Sequence, residues 1–177
     1  MANGHSITVI FLGFLALIVR STFVSEFPTL LIPDVSFLLV IIAARYLKPA
    51  VGILVACLLG YITDLLSESP VGHHAFLRLI VFYLTVTFYN QFQLDRLFVF
   101  VPFVFVISFF DSIGAWILMN LIGTKTVLTL YGVGGMMLLA IVNAISAPVI
   151  KGSYDFFASF LGKGNRTKVV DFSSESR

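Results

Sequence analysis

The sequence predicts an all-α protein, a polytopic membrane bundle of about six transmembrane helices. Two observations support this prediction. Of the 177 residues, 59% are hydrophobic and only 11% are charged, and the mean hydropathy is +1.03. A soluble domain has roughly 25% charged residues, so the charges here are too few to cover a surface in water. The apolar residues also form runs close to the ~20 residues that a spanning helix needs.

Six apolar runs are the candidate spans, at residues 7–24, 30–44, 51–66, 76–92, 97–122 and 127–150. Because no Lys or Arg precedes the first run, we interpret it as a retained span and not as a cleaved signal peptide. The connections are short. We therefore expect one transmembrane domain at 1–151 and a short, basic and serine-rich cytoplasmic tail at 152–177.

The distribution of Lys and Arg predicts that both termini are cytoplasmic. With six spans, one set of loops and ends has eight of these residues. The opposite set has three, Arg20, Arg78 and Lys125, of which two fall inside predicted spans. The set richer in cations faces the cytoplasm. The net charge of +2 is too small for a nucleic-acid-binding surface. A single cysteine excludes a disulfide framework.

The third run has a stripe of small residues that ends on an acid. Gly52, Ala56, Gly60 and Asp64 recur every four residues and so lie on one face of a helix. Small residues at this spacing let another helix approach closely in a membrane. We expect a helix-packing face here, although small residues are also common in membrane helices in general.

The segment "SESPVG" after this run predicts a tight turn. Pro70 fixes φ, and Gly72 can adopt a positive φ. Backbone N–H groups of such a turn could donate to Asp64, which would make this acid a structural clasp. A catalytic role for Asp64 is the alternative that the sequence leaves open.

Two adjacent histidines, His73 and His74, raise the possibility of zinc bound together with Asp64 and Glu68. The spacing argues against it, because adjacent residues on a helix point about 100° apart and no H-x-x-x-H pair is present. We expect these histidines to be interfacial anchors and predict no metal.

Polar residues in the last two runs are candidates for a functional or structural core. Asp111 lies near the middle of the fifth run, where an aspartate costs about 2.5–3.5 kcal/mol and needs a partner. The expected partners are Asn143, Ser108 or Ser112. Pro148 frees a backbone carbonyl one turn earlier. Whether Asp111 is charged stays open. No phosphate loop, nucleophile elbow or H-E-x-x-H helix is present, so we predict neither an enzyme nor a cofactor.

With these motifs in place, the chain resembles the MreD family, the small integral membrane subunits of the bacterial rod-shape machinery (the elongasome). The resemblance covers about residues 33–151. It depends on an acid in the fifth span, an Asn followed by Pro in the sixth, and a pattern of Pro, acid, Gly and turn residues across spans two to four. The matching residues are Pro33, Asp34, Gly60, Asp64, Leu65, Ser67, Pro70, Gly72, Asp111, Asn143 and Pro148.

The resemblance implies a non-catalytic protein of the bacterial cytoplasmic (inner) membrane. Such a protein would bind the membrane helix of MreC and so help couple MreB filaments to the pair of wall synthases in peptidoglycan synthesis. It also implies a fold similar to the substrate-binding subunits of energy-coupling-factor vitamin transporters. The alternative function is therefore a substrate-binding subunit of a small-molecule transporter, with Asp111 and Asn143 lining a pocket. Homo-oligomerisation stays open.

Overall fold

The computed structural model describes residues 9, 13, 32–67, 70–91, 96–123 and 127–161, except for the side chains at 90, 160 and 161. All regular structure in this part of the chain is helical, which confirms the predicted all-α class. The five helices are α1 (Val35–Tyr46), α2 (Pro49–Leu66), α3 (His73–Gln91), α4 (Leu97–Ile122) and α5 (Leu130–Leu161).

Helix α1 is the centre of the described bundle. Residues 36–44 are all buried, and α1 packs against α2, α3 and α5. A helix that is apolar all round is typically buried in this way. Asp34 caps its first turn by accepting a hydrogen bond from the Phe37 N–H, and Pro49 begins α2 soon after α1 ends. With 12 residues, α1 is about 18 Å long, well short of the ~30 Å hydrocarbon core.

The remaining helices form two pairs beside α1. Helices α2 and α3 pack on each other, and so do α4 and α5. A contact between α3 and α4 connects the two pairs. Gly123 ends α4 with a φ of 109°, a conformation that suits glycine. The outward faces of the four helices expose large apolar side chains suited to lipid, including Leu54, Tyr83, Phe98 and Ile145.

By length and apolar composition, three of the described helical segments can cross a membrane: Pro49–Leu66, Leu97–Ile122 and Leu130–Ser159. These correspond to the predicted third, fifth and sixth spans. The predicted first span, 7–24, lies outside the described residues except for Val9 and Gly13, which are helical and buried. The six-helix bundle therefore stays a prediction, although the helical membrane class is supported.

Two predicted spans differ from what the structure contains, and each difference has a physical reason. Of the run at 30–44, the structure describes only the short helix α1. This helix begins after its N-cap Asp34, and the next helix begins at Pro49. The run at 76–92 lies in α3, which begins at His73 and includes Arg78 and Thr85, and α3 is not among the described segments that can cross a membrane by length and composition. The last helix passes through Pro148 and extends beyond the predicted limit of 150 to Leu161.

Candidate functional site: a buried polar core

The small-residue stripe of α2 lies against α3. A Cβ placed on Gly60 would lie 2.5 Å from the Cα of Ala75 and 2.7 Å from the carbonyl oxygen of His74. The same construction on Gly52 would meet the ring of Phe82. Ala56, between them, is buried. At Gly60 the two helices are therefore in backbone contact, which a larger residue would prevent.

Asp64 holds the turn that follows the stripe. It is 1% exposed and accepts hydrogen bonds from the backbone N–H groups of Gly72 at 2.9 Å, His74 at 2.8 Å and Ala75 at 3.3 Å. The Nδ1 atom of His74 also lies 2.8 Å from this carboxylate. The carbonyl of Pro70 accepts from the His73 N–H, and Gly72 has a φ of 95°. We call this arrangement the Asp64 clasp; it satisfies donors at the start of α3 that have no partner within the helix.

The two histidines at the start of α3 do not point to the same ligand position. His74 is directed at Asp64, whereas His73 is buried, and the two rings meet edge to face with centroids 4.9 Å apart. Among the described residues, no group of three or more His, Cys, Asp or Glu side chains is placed to hold a metal ion.

The centre of the bundle contains a charged triad, formed by Asp34, Arg78 and Asp111. Arg78 on α3 is 0% exposed, and its Nη2 donates to Oδ2 of Asp34 while its Nη1 donates to Oδ2 of Asp111 at 3.0 Å. The guanidinium also lies over the ring of Phe37, 5.2 Å from its centroid. One buried cation on α3 thus connects the start of α1 with α4.

A set of neutral side chains extends the triad to the other helices. The Asp34 N–H donates to Oδ1 of Asn143 at 2.8 Å, and Nδ2 of Asn143 donates to the Ser108 hydroxyl at 2.8 Å. The Ser36 hydroxyl donates to Oδ1 of Asp34, and the Thr63 hydroxyl lies 3.2 Å from that of Ser36. These bonds bring polar groups of all five described helices, or of their caps, into one network. Networks of this kind favour one packing of the helices. Two of its buried atoms, Nε of Arg78 and Oδ1 of Asp111, have no hydrogen-bond partner among the described residues.

The sequence located the polar residues but assigned some partners wrongly. Asp111 was expected to pair with Asn143, Ser108 or Ser112. It pairs instead with Arg78, and Asn143 bonds Ser108 and the backbone of Asp34. The bonds of Asn143 join α5 to α4 and to α1, and the ion pair of Asp111 joins α4 to α3.

Arg78 enters the sequence prediction only through the Lys and Arg count, with no partner assigned to it, and Ser36 and Thr63 do not enter it. The signal was available, since this arginine stands in the apolar run "FLRLIVFYL". An ionisable residue within a membrane helix is by default a functional or structural site with a partner, as for Asp111.

Together these features define a helical membrane protein with interior polar groups that bond one another. The chain belongs to the MreD family, because the model of that family, described as rod shape-determining protein MreD, matches residues 3–150. This confirms the resemblance found in the sequence. The family consists of shape-determining membrane proteins and is not known for enzymatic activity. Among curated proteins and among solved structures, no match to the chain was found.

Proposed function

We propose that this protein is the non-catalytic membrane subunit of the elongasome that binds MreC and helps couple MreB filaments to peptidoglycan synthesis. The observation on which this depends is membership of the rod shape-determining MreD family over residues 3–150. The geometry of the polar core is consistent with an assembly role and adds a physical reason for it.

That reason is that polar side chains of the core bond one another. Asp34, Asn143 and Ser108 bond one another, and Arg78 joins Asp34 to Asp111. These bonds between side chains of different helices stabilise the bundle, which supports an assembly role. The large apolar side chains on the outer faces are what a lipid bilayer and a single partner helix require. In this proposal the bundle is a rigid support for the MreC helix.

The topology that accompanies this function is also a proposal. We expect six spans with both termini in the cytoplasm of a bacterial inner-membrane protein, and a fold like that of the energy-coupling-factor substrate-binding subunits. The alternative role, substrate binding for a small-molecule transporter, is less well supported. Asn143 and Asp111, which would line its pocket, are bonded to other residues of the bundle.

Depletion of the protein in its own host tests the proposed function. We expect rod-shaped cells to become spherical while the wall synthases disperse from their usual pattern, and a wild-type copy supplied in trans to restore rods. If the cells keep their shape and lose growth only on a particular nutrient, the transporter role replaces this one.

The MreC contact has its own test, for which the sequence offers a convenient background. Cys57 is the only cysteine and is exposed, so Cys57→Ser gives a cysteine-free chain. Single cysteines at exposed positions on α2 to α5, namely Leu54, Tyr83, Phe110 and Ile145, would then probe four faces. We expect cross-links to a cysteine in the MreC helix from one face only. If depletion abolishes the rod shape and no face cross-links, the family role stands and direct MreC binding is wrong.

A further inference from the structure

We propose that the end of the bundle where α1 finishes and where α2 and α4 begin binds the headgroups of anionic phospholipids. Four cations lie there, namely Arg45, Lys48, Arg96 and Lys151, and we call this part of the molecule the basic end. The proposal does not depend on the MreC contact or on any other part of the proposed function.

The first observation is that four cations from four parts of the chain meet at one end of the helices. Arg45 is in the last turn of α1, and Lys48 is the N-cap of α2. Arg96 is the N-cap of α4, and Phe100 lies in the first turn of that helix. The Nζ atom of Lys151, on α5, lies over the ring of Phe100, 4.8 Å from its centroid. Lys151 is therefore at the level of the start of α4.

Contacts between α1 and α5 place Arg45 and Lys48 at the same level as Lys151. The ring centroids of Tyr46 and Tyr154 are 5.0 Å apart, and the Tyr46 hydroxyl donates to Asp155 at 2.8 Å. Both partners on α5 follow Lys151 by about one helical turn. Of the Lys and Arg residues that the structure describes, only Arg78 lies elsewhere, in the charged triad.

The second observation is that the charge at the basic end stays positive whichever ion pairs form there. The basic end and the tail that follows α5 together contain eight Lys and Arg residues. The acids that the sequence places beside them are four, namely Asp95, Asp155, Asp171 and Glu175. If each acid neutralises one cation, four positive charges remain. Lys and Arg residues near a membrane surface attract anionic lipid headgroups.

The third observation identifies a lipid as the source of the negative charge. Lys48 and Arg96 are exposed, and neither side chain makes a capping hydrogen bond. Exposed apolar side chains follow each of them along its helix, with Leu54 70% exposed on α2 and Phe98 95% exposed on α4. A matching ligand has an anionic group at the helix ends and hydrocarbon beside the helices. A phospholipid has both parts, whereas a soluble acidic peptide lacks the hydrocarbon.

Native mass spectrometry of the full chain in a neutral detergent tests the proposal. Phosphatidylglycerol and phosphatidylcholine with the same acyl chains compete at equal concentration, and the bound lipids are counted. We expect phosphatidylglycerol to be preferred. Arg96→Gln and Lys48→Gln should each lower this preference by about fivefold, the contribution of one cation near the surface. Added salt should also weaken it, because salt screens exposed charges.

Lys125→Gln is the matched control. It removes one positive charge from the connection between α4 and α5, at the opposite end of both helices, and should leave the preference unchanged. Helical content by circular dichroism checks that each variant is folded. Equal binding of the two lipids would overturn the proposal, and so would an equal loss in Lys125→Gln, because only net charge would then matter. If glycerol phosphate or a soluble acidic peptide displaces phosphatidylglycerol at a similar concentration, the basic end binds a soluble anion and the lipid assignment is wrong.

Discussion

Replacement of Gly60 by alanine tests whether the backbone contact between α2 and α3 determines the stability of the bundle. The added Cβ would lie 2.5 Å from the Cα of Ala75, and ordinary van der Waals contact begins at 3.4 Å. The gap must widen by about 0.9 Å. Since the atoms that it meets belong to the backbone, no side-chain rotation can relieve the clash, and α3 must move as a unit.

That movement has a cost at the Asp64 clasp. The N–H groups of His74 and Ala75 donate to Asp64 at 2.8 and 3.3 Å, so moving α3 away lengthens both bonds. Overpacking alone costs about 1–3 kcal/mol, and a hydrogen bond to a charged group contributes about 1.5–3 kcal/mol. The better helix propensity of alanine offsets up to ~1 kcal/mol. The free energy of unfolding should therefore fall by about 2–4 kcal/mol.

Reversible unfolding in detergent micelles, followed by circular dichroism, measures this change. Gly134→Ala is the matched control, because Gly134 is also in a helix and a Cβ there would meet no atom within 4 Å. It should be neutral or slightly stabilising. If Gly60→Ala is as stable as Gly134→Ala, then α2 and α3 do not depend on close approach at Gly60 and the reasoning is wrong.

Four further substitutions have expected outcomes in the same unfolding assay. Asp64→Ala should lower the free energy of unfolding by about 2–4 kcal/mol, because three backbone N–H donors lose their acceptor; equal loss in Asp64→Asn would argue against a role for the charge. Arg78→Met should cost about 3–5 kcal/mol and reduce the amount of protein in the membrane, since it removes the guanidinium that both acids accept from, and neutralising both acids as well should restore part of this loss. Asn143→Ala should cost about 1–3 kcal/mol, whereas loss of Ser108 alone should cost less, because Asn143 also accepts from a backbone N–H. Gly72→Ala should cost only about 1–2 kcal/mol, the strain of a positive φ, because a Cβ there has open space around it; a larger loss would mean that the turn is packed more tightly than the structure indicates.

The features that the sequence predicted well are those encoded by local spacing. Gly52, Ala56, Gly60 and Asp64 share a face because they are four residues apart on one helix, and the helix is itself evident from the apolar run. The turn at Pro70 and Gly72 was equally predictable, because proline fixes its own φ and glycine can adopt a positive φ. Periodicity and turn chemistry need no knowledge of the rest of the chain.

The features that the sequence predicted poorly depend on residues that are far apart in the chain. Arg78 is 44 residues from Asp34 and 33 residues from Asp111, and no local pattern indicates that the three would meet. The start of α3 was also placed too late. Because the turn at Gly72 allows the helix to begin at His73, Arg78 falls in its second turn and not near a loop.

The buried arginine also constrains how the newly made chain enters the membrane. When α3 leaves the ribosome, Asp34 has already been synthesised, but Asp111 follows 33 residues later. By length and apolar composition, neither α3 nor the 12-residue α1 is among the described segments that can cross a membrane. We therefore expect α1 and α3 to stay at the insertion machinery until α4, which contains Asp111, has been synthesised. The bundle should be released into the bilayer as one unit, and chains truncated before α4 should be degraded.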